Sequence, residues 1–429
     1  MYQNQSMTSY PLLVLKKSKE KSILNQHPWI FSGAVQKLPK AQNGEIVAVQ
    51  DASGRILGYG FFDGNSQITC RIFEFTRFHD KNTEFVADEA YFHQKIKNAY
   101  NLRKDYLLTS STNAYRLLNA EGDFFSGVIV DIYDDVASVQ LLIKGTERIA
   151  EHIFSGIRAI GIEYIYLHIK ESTKNIEGLG QDKNSEQASI KQGWQLEKEQ
   201  NESDIPAMPI QILENNLKFK VDVVGGQKTG FFIDQRENRE LVKRYSKNKS
   251  VLNCFGYTGG FSVYAIDGGA KNVVSVDISK EATEEANQNV SLNFDSLLQK
   301  NTNHKSIAQD CFEYLKNLDS NKEEEQFDII ILDPPAFAKN KRSLPKASRG
   351  YINLNELGFK KVKSGGLVFT FSCSGSVSKD LFRKLIFTAA AEAGRKIRIV
   401  HQLTQPLDHP INIYHPEGEY LKGLVLQVE

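Results

Sequence analysis

Residues 251–335 constrain the fold more tightly than any other stretch of this chain. Val251-Leu-Asn-Cys-Phe255 reads as a strand apolar enough to be covered on both faces. Gly256-Tyr-Thr-Gly-Gly260 interrupts it, 261–267 reads as a helix, and Gly268-Gly269 ends that helix. A second strand, Asn272-Val-Val-Ser-Val-Asp277, closes on an acid. Strand, glycine turn, helix and strand in that order form the repeat of a parallel α/β sheet.

Asp277 lies 21 positions after Gly256, which sets a carboxylate beside the glycine turn, within reach of ribose hydroxyls. The turn departs from the dinucleotide fingerprint, because Thr258 stands where a bare backbone would approach a pyrophosphate. A nucleoside cofactor without phosphates avoids that approach, so S-adenosylmethionine is preferred to NAD, with a plain tight turn as the competing reading. Phe327-Asp-Ile-Ile-Ile-Leu-Asp333 is a third strand, and Pro334-Pro335 fixes the backbone where Asp333 leaves it. Ligands of doubly wound sheets bind beyond such carboxyl ends, so Asp333 is read as facing a flat base, against the alternative of a solvated acid. Asp310 ends a shorter strand and is read both as an adenine contact and as a helix N-cap.

A fourth strand, Gly366-Leu-Val-Phe-Thr-Phe-Ser372, delivers Cys373 to the same rim. Cys70, Cys254 and Cys311 read as small buried hydrophobes, whereas Cys373 has polar neighbours in Ser-Cys-Ser-Gly. A thiolate there could add to C6 of a pyrimidine and make C5 nucleophilic toward a sulfonium methyl group. Asp333 would then bond the cytosine edge as charge develops at N3.

The remaining chain divides by composition. Residues 10–77 hold short strands separated by glycine turns and read as a small β-rich module. Lys16, Lys17 and Trp29 could form a basic, aromatic RNA surface there, or a solvated charge run beside a core tryptophan. Residues 78–205 read as a small α+β domain with a polar, mobile insertion at 174–204. Residues 206–429 hold the parallel sheet. Within them Gly225-Gly-Gln-Lys-Thr-Gly230 is read as a lid, with Gln227, Lys228 and Arg236 available to a carboxylate; a surface ion pair is the alternative for Arg236. Lys339, Lys341, Arg342 and Arg349 follow the Pro-Pro turn, where a phosphate backbone would enter, although such runs are also ordinary solvated loops.

A net charge of +1 requires local basic patches to hold any nucleic acid. The 4 widely spaced cysteines form no CxxC pair, so no metal site is expected and a reducing cytoplasm suits them. No apolar segment is long enough to cross a bilayer, and Met1-Tyr-Gln-Asn-Gln-Ser lacks a signal-peptide pattern.

Taken together, 225–236, Cys-Phe-Gly-Tyr-Thr-Gly-Gly-Phe (254–261), Asp-Pro-Pro-Ala-Phe (333–337) and Phe-Ser-Cys-Ser-Gly (371–375) resemble the bacterial large-subunit ribosomal RNA cytosine-C5 methyltransferases with an N-terminal PUA domain. His-Pro-Trp-Ile-Phe-Ser-Gly (27–33) and Pro-Glu-Gly-Glu-Tyr-Leu-Lys-Gly (416–423) are similar to that family too. The resemblance implies a PUA-like RNA-binding domain, a central α+β domain and a Rossmann-like class I methyltransferase domain. It implies S-adenosylmethionine contacts from Gln227, Lys228, Arg236, Phe255, Asp277 and Asp310, around the turn of Gly256 and Thr258 and near Asp333, with Cys373 as nucleophile. Ribosomal RNA is the expected partner, a membrane is not, and a homodimer is left open. Methylation of a base nitrogen without a thiol, and an RNA-binding or ribosome-assembly protein with an idle site, are the competing functions.

Overall fold

The computed structural model describes residues 10–78, 85–169, 191–197, 201–226, 230–294, 302–319, 322, 325–338 and 341–429. They fall into two compact units. The first comprises Met1–Ile210, Val221–Phe231 and Leu407–Gly418, and the second comprises Gln211–Lys220, Phe232–Pro406 and Glu419–Glu429.

In the first unit, β1 (Leu12–Leu15), β2 (Trp29–Phe31), β3 (Val35–Lys37), β4 (Ile46–Gln50), β5 (Ile56–Phe62) and β6 (Ile68–Phe75) form a sheet in the order β2-β6-β5-β4-β1-β3. A second sheet uses β7 (Ala114–Asn119), β8 (Val128–Tyr133), β9 (Val136–Leu141), β10 (Tyr164–His168) and β11 (Gly193–Trp194) in the order β11-β10-β9-β8-β7. Trp194 of the polar insertion thus pairs with Tyr166; residues 174–190 and 198–200 of that insertion lie outside the described residues.

Contacts do not part at the expected 77/78 boundary. Tyr59, Phe61 and Phe73 of the β-rich module share one apolar cluster with Phe92, Phe125 and Ile153 of the α+β segment. Burying these rings together removes apolar area from water that neither sheet covers alone. Val221–Phe231 and Leu407–Gly418, which follow residue 205 in the chain, belong to the first unit.

The second unit opens with the end of a hairpin, β12 (Ile210–Glu214) and β13 (Leu217–Val221). Asn215 and Asn216 turn it at φ +53° and +66°, the left-handed pair that a two-residue hairpin requires and asparagine tolerates. The main sheet contains β14 (Ser250–Cys254), β15 (Asn272–Asp277), β16 (Asn303–Ala308), β17 (Phe327–Leu332), β18 (Val362–Ser372), β19 (Ile397–Leu403) and β20 (Lys422–Val428). Their order is β16-β15-β14-β17-β18-β20-β19, parallel except for β20, which is antiparallel to both its neighbours. The Rossmann-like class I sheet expected from the sequence is therefore the sheet observed. Val251, Leu252, Ile330, Ile331 and Phe369 are fully buried, as strands covered on both faces must be.

Candidate active site

Strand register brings the sequence-selected acids and the thiol to one rim. Cys254 lies opposite both Val276 and Leu332, Asp277 opposite Ala308, and Leu332 opposite Thr370. Asp277 ends β15, Asp333 follows β17, Cys373 follows β18, and Asp310 stands two residues beyond β16. The reversal between β14 and β17, whose partners run outward in both directions, is where ligands of such sheets bind.

The β14–β15 side is a backbone cradle. Phe255 and Tyr257 adopt φ of +58° and +45°, and Gly259 follows at +79°. Side chains in this region store strain, and such strain concentrates at ligand sites. A Cβ on Gly259 would meet the Ala286 Cβ at 2.9 Å, so the turn admits no larger residue without movement. The Tyr257 N–H donates to Asp277 Oδ2 at 2.9 Å and the Ser279 N–H to Oδ1 at 3.0 Å, fixing the carboxylate. Each oxygen retains a lone pair for a further donor. The Gly256 N–H bonds the Val276 carbonyl at 3.0 Å. Thr258 is buried and its carbonyl accepts from Asn289 Nδ2 at 2.9 Å, which gives it a structural place in the turn. Phe255 is half-buried, with its ring edge-on to Phe312 at 6.4 Å. Asp310 is exposed and caps the helix Cys311–Asn317 by accepting from the Glu313 N–H at 3.0 Å.

Arg236 is not the surface residue that the ion-pair alternative requires. It is 2% exposed and faces the buried Glu214, with Nε 3.5 Å from Oε2. Glu214 also accepts two bonds from Arg239, at 2.8 and 2.7 Å. Gln227 and Lys228 lie outside the described residues.

The β17–β18 side is assembled from distant segments. Asp333 Oδ2 accepts from Gln235 Nε2 at 3.0 Å, and Gln235 Oε1 accepts from Asn238 Nδ2 at 2.6 Å. Cys373 is half-buried, while Cys70, Cys254 and Cys311 are buried. Its Sγ lies 4.0 Å from the Pro334 carbonyl oxygen, beside Asp333. Burial pushes the Cys70 thiol up to about 12 and raises Cys254 well above its ordinary range, so neither is a ready nucleophile. Tyr351 is fully buried behind this turn and is pushed up to about 12, mainly by burial. Lys422, at the start of β20, is buried as well. Gln235, Tyr351 and Lys422 escaped the reading of the sequence; for Lys422 a signal existed, a lone cation opening the apolar run Gly-Leu-Val-Leu.

The basic candidates are dispersed. Lys16 and Lys17 are exposed, and Lys16 Nζ donates to the Gly33 carbonyl at 3.0 Å. Trp29 is half-buried, donates from Nε1 to Glu121 at 2.9 Å and stands edge-on to His415 at 4.4 Å, which leaves less of its face for stacking than the RNA reading assumed. Arg342 and Arg349 are exposed, the latter 3.1 Å from Glu392. Lys339 and the Lys341 side chain lie outside the described residues.

The described rim offers a donor set that suits S-adenosylmethionine: a carboxylate fixed by two N–H groups and a half-buried Phe255 beside Phe312. Among the described residues no helix is long and apolar enough to cross a membrane, and no cluster of three metal-ligating side chains occurs.

Comparison with known proteins agrees with this geometry. The family described as S-adenosylmethionine-dependent methyltransferase matches residues 200–416, and a PUA-like domain matches residues 13–75. The chain is 39% identical over 416 residues to Ribosomal RNA large subunit methyltransferase I of Tolumonas auensis, covering 96% of this chain and 98% of the relative. It is 37% identical over 421 residues to the protein of the same name from Klebsiella pneumoniae, covering 98% of each. The crystal structure of the methyltransferase SMU.776 complexed with SAH shares its fold, with a TM-score of 0.76 and 24% identity over 98% of this chain and all (100%) of that one.

Proposed function

The chain belongs to the S-adenosylmethionine-dependent methyltransferase family that includes the proteins named Ribosomal RNA large subunit methyltransferase I, and from that premise we propose that it methylates C5 of a cytosine in large-subunit ribosomal RNA. It is an enzyme and its cofactor is S-adenosylmethionine. The observation that carries the C5 reading is Cys373, the least buried of the 4 cysteines, beside Asp333 at the carboxyl rim of the sheet.

When bound, S-adenosylmethionine supplies an electrophilic methyl group on a sulfonium. Asp277 would hold the ribose and Phe255 the adenine face, with Asp310 near the amino group and Arg236, Gln227 and Lys228 toward the carboxylate. Cys373 Sγ, as thiolate, adds to C6 of the cytosine, and the electron pair moves to C5. Asp333 accepts from the exocyclic amino group and from a protonated N3, stabilising the charge that the addition creates. After methylation the C5 proton leaves to a base, the C5–C6 double bond re-forms, and the thiolate departs. Lys16, Lys17 and Trp29 of the PUA-like module, and Lys339, Lys341, Arg342 and Arg349 near the rim, would contact the RNA backbone and bases. The reaction is proposed to occur in the cytoplasm.

The test is Cys373→Ser in the full chain, with 5-methylcytidine in ribosomal RNA quantified by mass spectrometry. We expect activity to fall at least about 100-fold while cofactor binding persists. Full activity in the variant would instead favour methylation of a ring or amino nitrogen, for which the Asp-Pro-Pro turn suffices.

A further inference from the structure

Strand β20 carries a buried cation to the candidate nucleophile. Lys422 lies opposite Ser372 in the β18–β20 ladder, so its side chain begins where Cys373 leaves the sheet. The residue is only 3% exposed. Its Nζ donates to the carbonyls of Ser374 at 2.6 Å and Tyr420 at 2.7 Å. Ser374 is held a second time, by its hydroxyl on the Ala338 carbonyl at 2.5 Å. On the other side of the thiol, the Ser372 hydroxyl donates to the Tyr351 hydroxyl at 2.9 Å. Both neighbours of Cys373 are therefore anchored, and one anchor is an ammonium.

A neutral donor could satisfy two carbonyls without the desolvation that a buried charge suffers. Burial pulls Lys422 down to about 8, and a Cys373 thiolate pushes it back up. Such coupling works both ways: a thiolate that favours the ammonium is favoured by it. Among the described residues, Tyr351 from the helix Leu344–Lys361 also interacts with Cys373 and with Asp333 from the end of β17, and a negative charge on Tyr351 or Asp333 would oppose a nearby thiolate. Glu419 and Lys379 also face Lys422, and they pair with each other.

We infer that Lys422 is a positioning residue for Cys373, its ammonium holding the 372–374 turn and stabilising the Sγ thiolate once the S–H proton has passed to solvent. This deepens the proposed function and rests on the reading of Cys373 as nucleophile.

The experiment measures the rate at which iodoacetamide alkylates Cys373 against pH, read by peptide mass spectrometry in the full chain. It compares wild type with Lys422→Met, Lys422→Gln and Lys422→Arg, and follows each by circular dichroism and thermal melting. Methionine and glutamine are expected to raise the pH of half-maximal reactivity by about one unit or more, a roughly tenfold smaller thiolate fraction near neutrality. Arginine is expected to keep it near the wild-type value. Glutamine retains donors for the two carbonyls, so it separates charge from anchoring and also serves if the methionine variant does not fold. An unchanged half-point in either folded neutral variant overturns the inference. Alkylation needs neither RNA nor cofactor, so this outcome is independent of the methylation assay. An active Cys373→Ser enzyme would sink the nucleophile reading alone, and an unshifted alkylation profile would sink the Lys422 inference alone.

Discussion

The two halves of the rim are built differently. On the β14–β15 side, backbone does the holding: Asp277 accepts the N–H of Tyr257 in the strained turn and the N–H of Ser279, two residues further along its own chain. On the β17–β18 side, Asp333 and Cys373 are supported by Gln235, Tyr351 and Lys422, which come from three separate stretches of chain. Under the proposed function, holding the cofactor would be a local property of backbone shape, whereas preparing the reacting groups would depend on side chains that only the completed sheet brings together.

The largest expected effect would come from breaking the local half. Asp277→Ala removes the proposed ribose acceptor and the partner of both N–H groups, so cofactor affinity measured by calorimetry should fall on the order of 100-fold. Retention of wild-type affinity would mean that the turn binds without its carboxylate. A smaller effect is expected from Gln235→Leu, which removes the Nε2 donor to Asp333 but leaves the turn intact. Its kcat should drop about tenfold, with cofactor affinity nearly unchanged. An equal loss in both quantities would erase the distinction between the two halves.

A pH dependence of stability sharpens the contrast further. His304 on β16 bonds the Ser275 hydroxyl at 3.1 Å, and burial lowers its pKa from 6.5 to about 4. The folded protein therefore binds fewer protons than the unfolded chain between those values, so stability rises with pH across that window. The contribution is present above pH 6.5 and is lost as pH falls toward 4. Between pH 7 and pH 5 the loss should be roughly 2 kcal/mol, seen as a fall in Tm that His304→Gln flattens. An equally steep fall in the variant would assign acid sensitivity to other groups.

What the sequence disclosed follows the same division. The expected strand Asn272–Asp277 is the element observed, because a glycine turn and a short apolar run act over a few residues. Asp333 and Cys373 were legible because each directly follows a buried strand. Gln235 and Lys422 were not, since Asp333 and the 372–374 turn that they bond lie far from them in the chain. Arg236 shows the limit in another way: its charge suggested a surface, and only Glu214 on the preceding hairpin explains how it is buried.

The antiparallel position of β20 between β18 and β19 bears on how the enzyme comes into being. In this sheet β19 has β20 as its neighbour, so it cannot dock until a later stretch of polypeptide has been laid down. Lys422 arrives with that same stretch, so a half-assembled protein would carry its thiol without the ammonium, and under the inference drawn for Lys422 thiol reactivity would wait for the finished architecture.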